Sequence, residues 1–288
     1  MNIITAIILG LIQGLTEFLP VSSSGHLVLF QKIFGISEPA LLFDTMVHIG
    51  TLVAVVAVLW REIAAILRRL IQPLTLYLII ATVPTVIVAL VFKDAVEHAF
   101  ETGQFLGFAF LLTAALLAGA ELFSRRAGPA NGISPNSTEP EKSSFPGSMK
   151  WKDALVIGLM QAVAIIPGVS RSGATIAGAL SRKINRDTAA RFSFLLSIPA
   201  ILGALLFQLM DLAQGQPDAT TQAMPAGGTA IGAAAIIAGT LSAAVVGYFA
   251  VRFMLKIIRE KSLWGFVIYT GTLGVLVLID QFALKLVF

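Results

Sequence analysis

Apolar runs long enough to cross a bilayer recur along this chain, at residues 43–60, 75–92, 105–123, 192–212, 229–255 and 263–282. Crossing a ~30 Å hydrocarbon core takes about 20 helical residues, and inside that core every backbone N–H and C=O must be bonded within the protein. Continuous apolar runs of this length satisfy that condition as helices. Composition agrees: 57% of the 288 residues are hydrophobic and 12% are charged, against roughly 25% charged in a soluble domain. The chain is therefore read as an all-α polytopic membrane protein. With no cysteine, disulfides and thiolate chemistry are excluded. The opening MNIITAIILG has no basic n-region, so no cleaved signal peptide is expected. The net charge of +4 sits mostly in loops and reads as an orientation signal, not as a nucleic-acid surface.

Two stretches break the pattern of simple spans. Residues 10–26 read GLIQGLTEFLPVSSSGH, and residues 158–173 read GLMQAVAIIPGVSRSG. At one constant offset Gly10, Leu11, Gln13, Ser22, Ser24 and Gly25 meet Gly158, Leu159, Gln161, Ser170, Ser172 and Gly173. Ser23 is replaced by Arg171 and Glu17 by Ile165. Each copy is an apolar helix that breaks at a proline and restarts from serines, which cap helix N-termini well. The restarted helices, at residues 22–34 and 170–180, are too short to span the core at ~1.5 Å per residue. Residues 1–35 and 154–180 are thus expected to be re-entrant helix–loop–helix pairs.

Lys and Arg mark cytoplasmic loops. The basic stretches at 61–69, 125–152 and 256–261 then lie inside, and the loops at 93–104 and 213–228 lie outside. Each half holds one re-entrant pair and three spans, and three being odd, the halves are expected to have opposite orientation. The organisation predicted is a first repeat at 1–123, a flexible cytoplasmic linker at 124–150 that is rich in Pro, Gly, Ser and Asn, and an inverted second repeat at 151–288. Broken helices meeting near the midplane are the usual site plan in such folds.

The chemistry concentrates in the two breaks. Glu17 is the only formally charged side chain between Met1 and Gln31, and an acid at that depth is costly at ~3 kcal/mol. Gln13 stands one helical turn before it on the same face, a carboxylate–amide pair suited to a cation or a proton; helix–helix hydrogen bonding is the bland alternative. Ser22, Ser23, Ser24 and His26 follow, at a helix start whose free N–H groups favour phosphate. A hydroxyl near an acid and a histidine makes nucleophilic or general-base chemistry available, with simple capping as the alternative, favoured for Ser22. Arg171 opens the matching helix, as a guanidinium clamp for phosphate oxygens or as a snorkelling arginine. Asp44 and His48 are read as lining the outer mouth or, in preference, as facing water or a neighbouring helix. No glycine-rich nucleotide loop, CxxC or HExxH occurs.

On Gln13 and Glu17 as an E/Q-x-x-x-E pattern, SSSGH at residues 22–26 and PGVSRSGAT at residues 167–175, the chain resembles the bacterial undecaprenyl-diphosphatase family, the bacitracin-resistance type of membrane phosphatase, over essentially its whole length. The resemblance implies hydrolysis of undecaprenyl diphosphate to the monophosphate carrier of cell-wall precursors. It implies Glu17, Ser23, His26 and Arg171 as the catalytic centre, and Ser170, Ser172 and Thr175, with Gln13, Ser22 and Ser24, as substrate contacts. It also implies a divalent cation, Mg2+ or Ca2+, at Glu17 with Gln13 nearby; many relatives carry glutamate at the Gln13 position, so one charge is missing here. The partners implied are a polyprenyl diphosphate, membrane lipids and a second copy of the chain in a homodimer, with no nucleic acid. The location implied is the bacterial inner membrane, with the site open to the periplasmic face.

Ser23 with His26 as base is the favoured nucleophile, against His26 itself or water. The main rival reading is a polyprenyl-phosphate transporter or flippase, since inverted repeats and broken helices are a transporter plan. A membrane scaffold without turnover is the second rival. A carrier needs Arg171 to hold phosphate, but it does not need a hydroxyl beside an acid.

Overall fold

In the computed structural model the described residues are 1–36, 41–92, 95–96, 103–126, 146–147, 149–213 and 232–288. Most of the expected linker at 124–150 and of the loops at 93–104 and 213–228 lies outside them. The described residues form eleven α-helices and one terminal π turn. The helices are α1 Ile3–Thr16, α2 Ser23–Ile33, α3 Leu41–Val58, α4 Trp60–Arg68, α5 Pro73–Val91 and α6 Leu106–Arg126, then α7 Trp151–Val163, α8 Arg171–Ser181, α9 Arg186–Ala213, α10 Ala233–Glu260 and α11 Trp264–Ile279. The π turn is Asp280–Leu284.

Five helices are long and apolar enough to cross a membrane, and a sixth crossing is obtained if α3 and α4 count as one broken span. The segment expected at 43–60 is therefore the exception among the six. Its apolar run ends where Arg61 and Glu62 enter, and Trp60–Arg68 turns away from Leu42–Val58 by 79°. Helix α4 buries none of its residues. A short amphipathic helix of this kind suits the membrane–water interface.

Helix ends follow capping chemistry where hydropathy alone places them differently. Asn2 accepts from the Thr5 N–H at 2.8 Å and starts α1. Asn185 accepts from the Thr188 N–H at 2.8 Å, so α9 begins at Arg186, inside the polar stretch that hydropathy reads as a connection. Both charged extensions are held by ion pairs across the bundle. Arg186 donates to Glu121 at 2.6 Å, Arg191 pairs with Glu62, and Arg259 donates through Nε to Asp187 at 2.7 Å.

One helix pairing is matched between the halves. Helix α1 packs on α10 and α7 packs on α5, while α6 lies against α11 and α3 against α9. The first two contacts are close because of glycine at matching positions. A Cβ at Gly10 would land on the Gly239 carbonyl, and one at Gly158 on the Ala81 backbone. Without a hydrophobic drive between helices in lipid, close approach at small residues is what holds such pairs. Gly10→Ala is expected to lower the thermal midpoint in detergent, because the backbones must part at a cost of about 1–3 kcal/mol. Gly203→Ala, in a position with nothing within 4 Å, should leave the midpoint unchanged or raise it. Equal midpoints for the two variants would mean the α1–α10 contact does not carry the packing assigned to it.

Candidate active site

Both breaks fold as the repeat implies. Ser22 caps α2 by accepting from the Gly25 N–H at 3.2 Å, and Ser170 caps α8 by accepting from the Gly173 N–H at 3.0 Å. In each turn the capping hydroxyl meets the serine two residues on, at 3.5 Å for Ser22 and Ser24 and 3.2 Å for Ser170 and Ser172. The turns touch: the Gly168 N–H donates to Ser24 Oγ at 3.4 Å, and Ser172 Oγ donates to the Leu19 carbonyl at 3.0 Å. The free N–H groups of α2 and α8 are thereby brought to one place.

Glu17 is the meeting point. It follows the last residue of α1, and its side chain is only 2% exposed. Gln13 Nε2 donates to its Oε2 at 2.9 Å, as the one-turn spacing requires. Ser23 Oγ donates to the same oxygen at 2.5 Å. The Arg171 guanidinium, 19% exposed, pairs with the other oxygen, Oε1. One nitrogen of that fork is engaged, and the rest of the group remains for phosphate oxygens. The structure thus joins Gln13, Glu17, Ser23 and Arg171 into a single cluster drawn from both halves.

The other expected residues divide. Ser24 is half-buried beside the cluster. Ser170, Ser172 and Thr175 are buried, and their hydroxyls are bonded within the protein. Thr175 Oγ1 meets Ser193 Oγ at 2.6 Å and the Arg171 carbonyl at 2.9 Å, and the Ser170 N–H donates to Thr113 Oγ1 at 3.0 Å. These three residues fix the Arg171 turn. His26 sits one turn into α2 with both ring nitrogens occupied, Nδ1 by the Ser22 carbonyl and Nε2 by the Tyr269 hydroxyl, each at 2.7 Å. The oxygen that meets the Ser23 hydroxyl is that of Glu17, not a nitrogen of His26.

Two further neighbours stand at the site, His48, the less favoured of the sequence candidates, and Tyr269, which sequence reasoning missed. His48, read as facing water or another helix, brings Nε2 to 3.8 Å from Glu17 Oε2, with its side chain 30% exposed. Its Nδ1 is held by the Asp44 carbonyl at 2.6 Å, so Nε2 is the free position. Asp44 itself accepts from Gln31 Nε2 at 2.7 Å. A polar pair one turn apart at the start of an apolar span was the available signal. Tyr269, in the middle of the last span, gave none.

Among the described residues no group of three or more His, Asp or Glu forms a ready cation cage. The donors present still fit a hard cation of the kind that takes most ligands from substrate and water. Gln13 Oε1 is buried without a partner, on the same amide that bonds Glu17. A carboxylate and an amide oxygen are such a set.

The comparisons with known proteins point the same way. Residues 6–276 match the model of the family described as bacitracin resistance protein BacA. A protein named undecaprenyl-diphosphatase from Carboxydothermus hydrogenoformans is 46% identical, the alignment covering 99% of this chain and 100% of that one. Undecaprenyl-diphosphatase 4 of Bacillus thuringiensis subsp. konkukian is 42% identical over 98% of both chains. A protein of the first name from Methanosphaera stadtmanae is 36% identical over 97% of this chain and 98% of its own. With its two serine turns closed on one glutamate, and with matches of this extent, the chain belongs to the BacA bacitracin resistance family.

Proposed function

We infer that this chain is an integral-membrane undecaprenyl-diphosphate phosphatase, releasing inorganic phosphate and the lipid monophosphate. The observation that carries the inference is the single cluster of Ser23, Glu17 and Arg171, where a hydroxyl bonded to a carboxylate stands beside a guanidinium. Full-length relatives named for this activity support it.

The mechanism proposed is in-line attack by Ser23 Oγ on the terminal phosphorus. The new bond is Oγ–P, the bond broken joins that phosphorus to the bridging oxygen, and the Ser23 proton passes to Glu17. Glu17 hands that proton to the bridging oxygen of the departing lipid monophosphate. Water then attacks the phosphoserine, the Oγ–P bond breaks, Glu17 takes the water proton and returns it to Ser23 Oγ, and phosphate leaves. Arg171 and the N-termini of α2 and α8 stabilise charge on the transferring phosphoryl oxygens. A divalent cation held by Glu17 and Gln13, when bound, would neutralise diphosphate charge. Ser22 and Ser24 shape the turn that presents Ser23, and Ser170, Ser172 and Thr175 hold the turn that presents Arg171.

The two halves are proposed as inverted repeats, 1–123 and 151–288, joined by a cytoplasmic linker. The reciprocal packing of α1 on α10 and of α7 on α5 supports this, as do the matching caps. Placing the basic ends of α4, α9 and α10 in the cytoplasm by the positive-inside rule opens the serine turns to the outer face of the inner membrane. The chain has no native cysteine, so single cysteines report the topology directly. One within residues 213–228 should react with an impermeant reagent from outside, and one at Arg69 only after the membrane is opened. The reverse pattern would overturn the orientation.

Phosphate release from a polyprenyl diphosphate by purified protein in detergent tests the activity. Glu17→Ala and Ser23→Ala should each lower kcat by about 10²–10⁴-fold. Arg171→Ala should cost about 10²–10³-fold, and Arg171→Lys should not restore it, because lysine lacks the planar fork. Wild-type protein that binds the lipid with cation supplied, yet releases no phosphate, would favour the transporter.

Chelation tests the cation. EDTA should abolish release, Mg2+ or Ca2+ should restore it, and Gln13→Glu should lower the cation concentration needed by adding a second carboxylate. Full activity in EDTA would remove the cation from the mechanism.

A further inference from the structure

The two serine turns differ at the residue that caps them. Ser170 has ordinary extended geometry, with φ −68° and ψ 114°. Ser22 stands at φ 73° and ψ 96°, in the positive-φ region that favours glycine and strains side-chain-bearing residues. The partner of the strain is at hand. Residue 26 in the first copy is histidine, and its counterpart in the second is Ala174. His26 Nδ1 lies 2.7 Å from the carbonyl oxygen of the strained residue.

A carbonyl oxygen only accepts, so Nδ1 carries the hydrogen. His26 is 2% exposed, and among the described residues no carboxylate forms an ion pair with its ring, so the ring is neutral and Nε2 holds a lone pair. The Tyr269 hydroxyl, 2.7 Å away, donates to it. The two rings lie parallel within 7° at a centroid distance of 5.7 Å, and Phe110 closes the other side edge-on at 5.4 Å. Which nitrogen of a histidine carries the proton is set by what the other nitrogen bonds. The hydroxyl of Tyr269 therefore selects the Nδ1–H form, and that form alone among the neutral ones adds a side-chain bond to the Ser22 carbonyl, which also accepts the His26 backbone N–H at 3.2 Å.

We propose that Tyr269 is a positioning residue for this enzyme. Through His26 it holds the strained Ser22 turn, which in turn presents Ser23 to Glu17. The inference rests on the reading of Ser23 and Glu17 as the reacting pair. His26 acts here as a fixed hydrogen-bond donor to the backbone, not as the group that takes the Ser23 proton. A strap of this kind ties the catalytic turn of the first half to the last helix of the second.

Tyr269→Phe keeps the ring and removes the donor. Its kcat should fall about 10–100-fold, the range found when a bond that orients a functional group is lost, while KM for a polyprenyl diphosphate changes by less than about twofold, as expected of a residue that acts through His26. Substitution at His26 separates positioning from chemistry. In His26→Asn the amide nitrogen replaces Nδ1 and keeps the bond to Ser22; in His26→Gln it replaces Nε2 and loses that bond. His26→Asn should be the more active of the two, and adding Tyr269→Phe to it should change nothing further, a non-additive cycle. Equal loss in both His26 variants, or a full Tyr269→Phe effect on the asparagine background, would overturn the proposal. Nitrogen-15 NMR of the three histidines reads the tautomer without turnover, so the strap stands or falls separately from the phosphatase reading. His26, identified by its absence from His26→Asn, should be Nδ1–H in the wild type. An Nε2–H ring there would refute the strap even if phosphate release were normal.

Discussion

The Glu17 carboxylate, buried where three elements meet, is the constraint on which the rest depends. A charge at that depth persists only if it is paired and hydrogen-bonded. Its own half supplies an amide, a hydroxyl and, at 3.8 Å, the His48 imidazole, but no guanidinium. The cation comes from the first residue of α8, in the other half. Removing one member of such a pair strands the other, at about 3–5 kcal/mol. The geometry of the Glu17 cluster and the docking of the two serine turns therefore share one contact.

That contact requires the helices beside the two breaks to be closely seated. Helix α1 reaches Glu17 only if it lies hard against α10, and α7 delivers the Arg171 turn only if it lies against α5. Glycine at the repeat-related positions 10 and 158 permits both approaches. The ion pairs of Arg186, Arg191 and Arg259 fasten the long helices at the other end. The site is thus suspended from close backbone contacts on one level and from charge pairs on another.

Much of this was legible in the sequence, because the signals were of two robust kinds. Long apolar runs fix helices through the backbone's need for bonds in lipid, and α5, α6, α10 and α11 lie where hydropathy places them. The repeated turn placed Gln13, Glu17, Ser23 and Arg171 together, since its offset pairs position with position. Helix ends were less legible: α9 starts earlier and α10 ends later than their apolar runs, because Asn185 and a set of cross-bundle ion pairs decide those limits. The directions of side chains were least legible. Nothing in SSSGH tells that His26 turns toward Tyr269, 243 positions away, while His48, in a different helix, faces Glu17.

The two turns also show how a duplicated scaffold can carry a single reaction. Both copies keep the cap, the serine pair and the short helix, which are matters of backbone satisfaction. Among their polar side chains they differ most consequentially where Glu17, Ser23 and His26 correspond to Ile165, Arg171 and Ala174. Acid, hydroxyl and strained backbone are gathered on one copy, and the guanidinium on the other. Two identical turns would bring either two carboxylates or two guanidiniums into one dry space, and like charges there repel. A hydroxyl and its proton acceptor facing an anion clamp need opposite charges across the interface. Divergence at these few residues is thus what the electrostatics of a shared, buried site demands, and conservation of the remaining turn is what its backbone demands.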